Sequence, residues 1–358
     1  MTVPHNTAIL GVEVPIAEIE KELRQLWEVD SARTNASLMN LAVYSEKEGA
    51  LGANSDIVRE LTREHACRAL LVGLDRSMEE RSIRAWITAH CHLAHGQKSV
   101  CCEQIAFHLT GVSRGRFRNT VFAHLQSDLP LVFWWQGDLS PVFSEGLYRR
   151  IDRLIIDSSE WTKPCENFER VLTAIEENNI IVQDLAWTRT YHFRLAVAGL
   201  YDDPLALESL PATKQIKIHA NAAHKHSALQ LLAWFTDLAG WERSQDLFSD
   251  DGAEGSYRFA KKNGDLVDVE ITYDSDCAPI AAFEVLSDDV SIKISRDEGG
   301  KHLRHELIKS GHHVDTHGPA DSDVSADLVG DQLSRGGKNS LFRRILPRFI
   351  QFLSKDCS

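Results

Sequence analysis

The chain has little with which to hold nucleic acid or an anionic membrane. Its 358 residues carry 39 lysines and arginines against 52 aspartates and glutamates, a formal net charge of −13. Phosphate binding needs a basic surface, so neither partner is expected. The sequence also lacks any apolar run near the roughly 20 residues that span a bilayer. Residues 1–15 show neither a basic start nor an extended apolar stretch, so no signal peptide is expected. Cysteine is sparse. The seven present are an odd number without zinc-type spacing, which predicts reduced thiols, no obligate metal and a cytoplasmic location. Signatures of chemistry are scarce too. There is no lysine-serine P-loop, no three-glycine dinucleotide fingerprint and no H-E-x-x-H helix. No cysteine sits in a recognised catalytic frame. No cofactor is expected, and in a chain long enough for two domains this scarcity argues against an enzyme.

What is present is ordered alternation. Ile16, Ile19, Leu23, Leu26 and Trp27 fall at helical spacing, and an apolar strand begins at about Leu38. Residues 68–75, "RALLVGLD", form a short apolar run of the kind buried between helical layers. The segments "SIRAWITAHCHLA" and "VCCEQIAFHLTG" read as an antiparallel pair. Beyond Gly111, strands around "LVFWW" and "RLIIDSS" alternate with helices. This predicts a three-layer α/β domain over residues 1–180, with a mostly parallel sheet plus a hairpin.

Residues 181–297 predict an α+β domain with an antiparallel sheet. They contain a helix from Trp187 to Gly199, the apolar helix "HSALQLLAWFTDLAGW", a hairpin at Asn263-Gly264 and a strand pair "IAAFEVLSDDVSIKISRD". Residues 298–358 read as a polar, His-rich, partly mobile segment with a closing helix interrupted at Pro347.

Candidate sites follow from residue chemistry. "GVSRGRFRN" offers a glycine-containing loop before a helix, with Ser113, Arg114 and Arg116 able to meet an anion or sugar phosphate. A capped helix with a solvated basic face is the favoured alternative. His90 and His92 share one strand face near Cys101 and Cys102, and His302, His305, His312, His313 and His317 form a second cluster. Histidines on a wet strand or in a mobile loop explain both clusters without metal. Cys67, Cys101 and Cys102 are candidates for redox control. Asp157 ends a strand at the edge where α/β proteins place ligands. Trp134 and Trp135 point to opposite faces of one strand, so at least one is expected in the core and the other is a candidate crevice or partner contact.

Several segments in this order resemble the glucose-6-phosphate dehydrogenase assembly protein family, OpcA. They are "ARTNASLMNLAVYS", "EHACRALLV", "CCEQIAFHLTG", "DLPLVFWWQGD", "DRLIIDSS", "DLAWTRTYHFRLAVAGLYD" and "LQLLAWFTDLAGW". The chain departs from the family's pattern at Ala66-Cys67, where proline-serine is usual, and at Phe193, where tryptophan is usual. The resemblance implies a non-catalytic protein that binds glucose-6-phosphate dehydrogenase and promotes its active oligomer. It also makes Arg189, in the D-L-x-W-x-R element, a candidate contact. The competing reading is a sugar-phosphate sensor or enzyme using the helix start at Ser113–Arg118.

Overall fold

The fold was analysed in a computed structural model that describes residues 7–28, 33–35, 37–94, 98–111, 114–250, 252–335 and 340–353. Two compact units are present: Met1–Gln183 with Ser325–Lys338, and Asp184–Val324 with Asn339–Ser358.

The first unit contains β1 (Val12–Val14), α1 (Ile19–Glu28), β2 (Arg33–Asn35), β3 (Met39–Ser45), α2 (Ala50–Leu61), β4 (Cys67–Asp75), β5 (Ser82–Ala94) and β6 (Lys98–Thr110). Then come α3 (Arg114–Phe122), β7 (Leu131–Trp135), α4 (Glu145–Tyr148), β8 (Arg153–Ile156), α5 (Pro164–Asn178) and β9 (Ile181–Asp184). The strands form one sheet in the order β1-β5-β6-β4-β3-β7-β8-β9, with β2 beside β6. From β6 through β8 every pairing is parallel, whereas β1, β5 and β6 pair antiparallel. Central parallel strands are covered on both faces, which is why β7 and the apolar part of β8 are buried without alternation. The predicted α/β class and its hairpin are therefore present.

The second unit begins with α6 (Leu185–Thr188), α7 (Tyr191–Leu200), α8 (Pro204–Ser209), β10 (Gln215–Asn221) and α9 (Lys225–Ala239). It continues with β11 (Glu242–Asp250), β12 (Glu254–Ala260), β13 (Leu266–Asp274), β14 (Ile280–Leu286), β15 (Val290–Arg296), β16 (His302–Lys309) and β17 (His312–Pro319). Its sheet runs β11-β12-β13-β10-β14-β15-β16-β17, antiparallel except between β10 and β13. Here burial does alternate. In β13, Val267, Val269, Ile271 and Tyr273 are buried while the residues between them are more exposed. The turn predicted at Asn263-Gly264 joins β12 to β13, and Gly264 takes φ 89°, which a side chain would resist. Helix α9 is buried at every position from Ser227 to Thr236, so it forms the core on which α11 (Ser340–Phe352) packs.

Four expectations need correction. The segment from 298 is not a separate polar tail, because β16 and β17 complete the second sheet. Only Leu303 and Leu307 of β16 are fully buried, and a strand with two apolar anchors among charged residues reads as loop in sequence. The remainder divides: α10 (Ser325–Ser334) belongs to the first unit and packs on α2 there, while α11 belongs to the second. The closing helix is not interrupted at Pro347. Phe342, Ile345, Leu346, Phe349 and Phe352 line one buried face, and that burial outweighs the single backbone bond that proline removes. The predicted helix from Trp187 to Gly199 is broken at Arg189-Thr190, where the Thr190 hydroxyl donates to the Trp187 carbonyl at 2.8 Å.

The cysteines are not all reduced. Cys91 and Cys101 lie directly opposite on β5 and β6, their Cα atoms 4.0 Å apart, and form a disulfide; Cys165 is also disulfide-bonded. Closing a ten-residue separation removes unfolded-chain entropy worth about 2–3 kcal/mol. A Cys91→Ala/Cys101→Ala variant is expected to lose about that much in urea unfolding. An unchanged midpoint would show that the crosslink contributes nothing.

Candidate functional site

Renumbering β3, β4, β6, β7, β8 and β9 as one to six gives the strand order 3-2-1-4-5-6. That is the doubly wound arrangement in which ligands sit outside the carboxyl ends of the strands where the order reverses. The reversal lies between β3 and β7, and a cleft of about 550 Å³ opens there. Its walls are Glu46 after β3, the loop 138–144 after β7 and the start of α5.

Trp135 packs beneath the loop 138–144. It is fully buried, its ring centroid lies 4.2 Å from that of Tyr44, and Phe133 and Phe143 flank it at 6.0 and 5.7 Å. Its indole N–H donates to the Asp138 carbonyl at 3.0 Å, so the ring also fixes the loop above it. Trp134, on the other face, is only 3% exposed. Both indoles are core residues in their unit, which corrects the expectation that one reaches a crevice or partner surface. Trp135→Ala is expected to destabilise the chain by about 3–5 kcal/mol in urea unfolding, as other buried aromatic truncations do.

Two side chains shape the loop. The Arg170 guanidinium donates to the carbonyls of Leu139, Ser140 and Phe143. Asp138 accepts from the backbone N–H groups of Thr162 and Lys163 and, at 2.7 Å, from the Asn167 amide. It also accepts from the Thr162 hydroxyl. Asp138 thus ties down the turn just before α5 and one side chain on it. Burial works to raise the Asp138 carboxyl, but these hydrogen bonds outweigh it and hold it below the usual range. A depressed carboxyl contributes stability above its unfolded value and loses it as pH falls through the folded one. The stability difference between wild type and Asp138→Asn is therefore expected at pH 7 and should shrink as pH drops below about 4. Urea midpoints across pH 3–7 measure it, and a difference independent of pH would refute the assignment.

The dinucleotide implied by the strand order does not fit the turn after β3. Glu46 occupies it, accepting from the Tyr44 hydroxyl at 2.6 Å and pairing with Arg76 at 3.1 Å. A pyrophosphate at the start of α2 would meet that carboxylate. The cleft lining holds neither a cysteine nor a histidine to pair with its serines. It combines apolar Leu139, Pro141 and Phe143 with carboxylates and the exposed Lys163.

The remaining predicted residues lie elsewhere. Ser113 is outside the described residues, as are the side chains of Arg114 and Arg116. Gly111-Val112-Ser113-Arg114-Gly115 also has the G-x-S-x-G spacing of a nucleophile elbow. With Ser113 undescribed it carries no catalytic assignment. Asp157 is buried and caps the turn that follows β8 by accepting from Ser159 N–H at 3.1 Å, which makes it a structural cap rather than a ligand group.

Arg189 is 4% exposed and donates to Asp323 at 2.5 Å, with His224 3.4 Å from the same carboxylate. Asp184, the first residue of its motif, caps α6 and accepts from Gln230 at 2.7 Å. Arg194 lies over the Trp187 ring at 3.5 Å. The D-L-x-W-x-R element therefore builds the second unit's interior, and Arg189 is not a surface contact. Cys67 and Cys102 are buried, and burial pushes both thiols up, away from the thiolate that redox chemistry needs. His90 and His92 have protein partners, Gln104 at 2.9 Å and Thr62 at 3.0 Å.

Among solved structures the chain is similar to a 3-ketoreductase from Actinomadura kijaniata in complex with NADP, at 9% identity and a TM-score of 0.48, over 88% of this chain and 96% of that one. It is also similar to a UDP-N-acetylglucosamine 3-dehydrogenase from Acidithiobacillus ferrooxidans, at 10% identity and a TM-score of 0.44, over 87% and 96%. No curated protein matches it. Two family models do: residues 58–173 match the glucose-6-phosphate dehydrogenase subunit N-terminal domain, and residues 180–346 match the corresponding C-terminal domain. These matches take in most of the chain and parts of both units, and the chain belongs to the glucose-6-phosphate dehydrogenase assembly family, OpcA.

Proposed function

We propose that the chain binds glucose-6-phosphate dehydrogenase and promotes that enzyme's active oligomer without catalysing a reaction of its own. Family membership ties it to this dehydrogenase and hence to the pentose phosphate pathway. The observation that carries the reading is the coverage of both units by the paired family domains. The carboxylate of Glu46 in the turn where a dinucleotide would bind supports it, because it favours an interaction protein over a second dehydrogenase.

The mechanism is linkage. A partner with higher affinity for the active assembly shifts the equilibrium toward it by that difference in affinity. Moving an assembly from about 1:99 to 99:1 needs about 10⁴-fold preference, near 5.5 kcal/mol. The mouth of the switch-point cleft, where Pro141 lies among charged Glu46, Lys163 and Glu166, is a candidate surface of the first unit to receive the partner.

Mixing the chain with the dehydrogenase from the same genome, followed by light scattering and an activity assay, tests the proposal. The expected outcome is a complex of increased mass with a higher rate or a lower substrate requirement. Absence of a complex at micromolar concentrations would overturn it. Turnover of sugar phosphate and nicotinamide cofactor by the chain alone would overturn the non-catalytic part.

A further inference from the structure

Five of the chain's sixteen histidines fall in β16 and β17, which the sequence placed in a mobile tail. The two strands instead pair in register from His302 opposite Pro319 to Lys309 opposite His312. Leu303 and Leu307 are fully buried and fix which face of the hairpin points inward. Glu306 and Asp315 stand directly opposite each other, and His313, two residues before Asp315, shares their outward face. One donor atom from each of the three lies within 4.8 Å of the others.

We propose that Glu306, His313 and Asp315 form a binding site for a divalent transition-metal ion, with zinc the best fit. One imidazole and two carboxylates are suitable zinc donors at about 2.0–2.2 Å, with water completing the four positions. Donors at that radius lie about 3.4 Å apart in a tetrahedral site, so the three side chains need to close by at most about 1.4 Å. The imidazole disfavours magnesium and calcium, which prefer all-oxygen sites.

The neighbouring charges are compatible with this role. Arg304 donates to both oxygens of Asp315, at 3.1 and 2.7 Å, and lies 3.0 Å from Glu306. Arg304 bridges the two carboxylates and, being exposed, must swing aside for an ion to take its place between them. Carboxylates that bind metals are commonly hydrogen-bonded in this way. Lys293, opposite Glu306 on β15, is directed to Glu284 at 2.5 Å and does not neutralise the site.

The test uses the full chain after chelator treatment, titrated with Zn²⁺ by calorimetry and with Co²⁺ by visible absorption. One equivalent of zinc is expected to bind, and millimolar Mg²⁺ should not displace it. His313→Ala and Glu306→Gln/Asp315→Asn should each weaken binding by at least about tenfold, the lower end of what even a supporting partner costs. His219→Ala, on β10, should leave the affinity unchanged. Unaltered melting of the metal-free variants would show that the fold is retained. No zinc binding by the wild type, or binding that His313→Ala leaves within twofold, would overturn the proposal. Its failure would leave the dehydrogenase-binding reading untouched, because that reading is tested by complex formation.

Discussion

The first unit depends on the seam between β3 and β7, where the Tyr44 ring lies against Trp135. Those parallel strands are separated in sequence by α2, the β4–β6 strands and α3, so only long-range burial brings them together. Once Trp135 is seated, its indole N–H fixes Asp138, and Asp138 in turn holds the turn before α5. Arg170, on α5, then holds the other half of the same loop.

The same seam shows why fold alone does not assign chemistry. Its strand order is that of dinucleotide-binding sheets, yet Glu46 links Tyr44 to Arg76 where a phosphate would need room and positive potential. Asp138 holds the turn just before α5. A carboxylate of the chain itself stands in the turn that a nucleotide would use. The second unit applies the same economy at Asp321 and Asp323, which tie the segment after β17 to His192 and Arg189. In both units, groups that look reactive in sequence are engaged in holding loops.

Much was legible because periodicity and punctuation are local. Continuous apolar runs marked the parallel strands, alternation marked β13 and β15, and Asn263-Gly264 marked its turn. The family was legible because its motifs are strings such as "DLPLVFWWQGD" and "DLAWTRTYHF". The candidate site was far less legible. Glu46, Asp138 and Arg170 acquire meaning only from backbone groups many residues away, and no spacing in the sequence announces them.

The amino-acid sequence by itself determined the class of each domain, the family and the scarcity of catalytic signatures, since these rest on local pattern and on residue identity. Tertiary structure decided the rest. It set Cys91 against Cys101, buried both tryptophans and Arg189, and turned a polar His-rich stretch into two strands with Glu306, His313 and Asp315 on one face. The physical reason is that register and burial depend on partners distant in sequence. A side chain's charge, pairing and exposure are fixed only when those partners arrive.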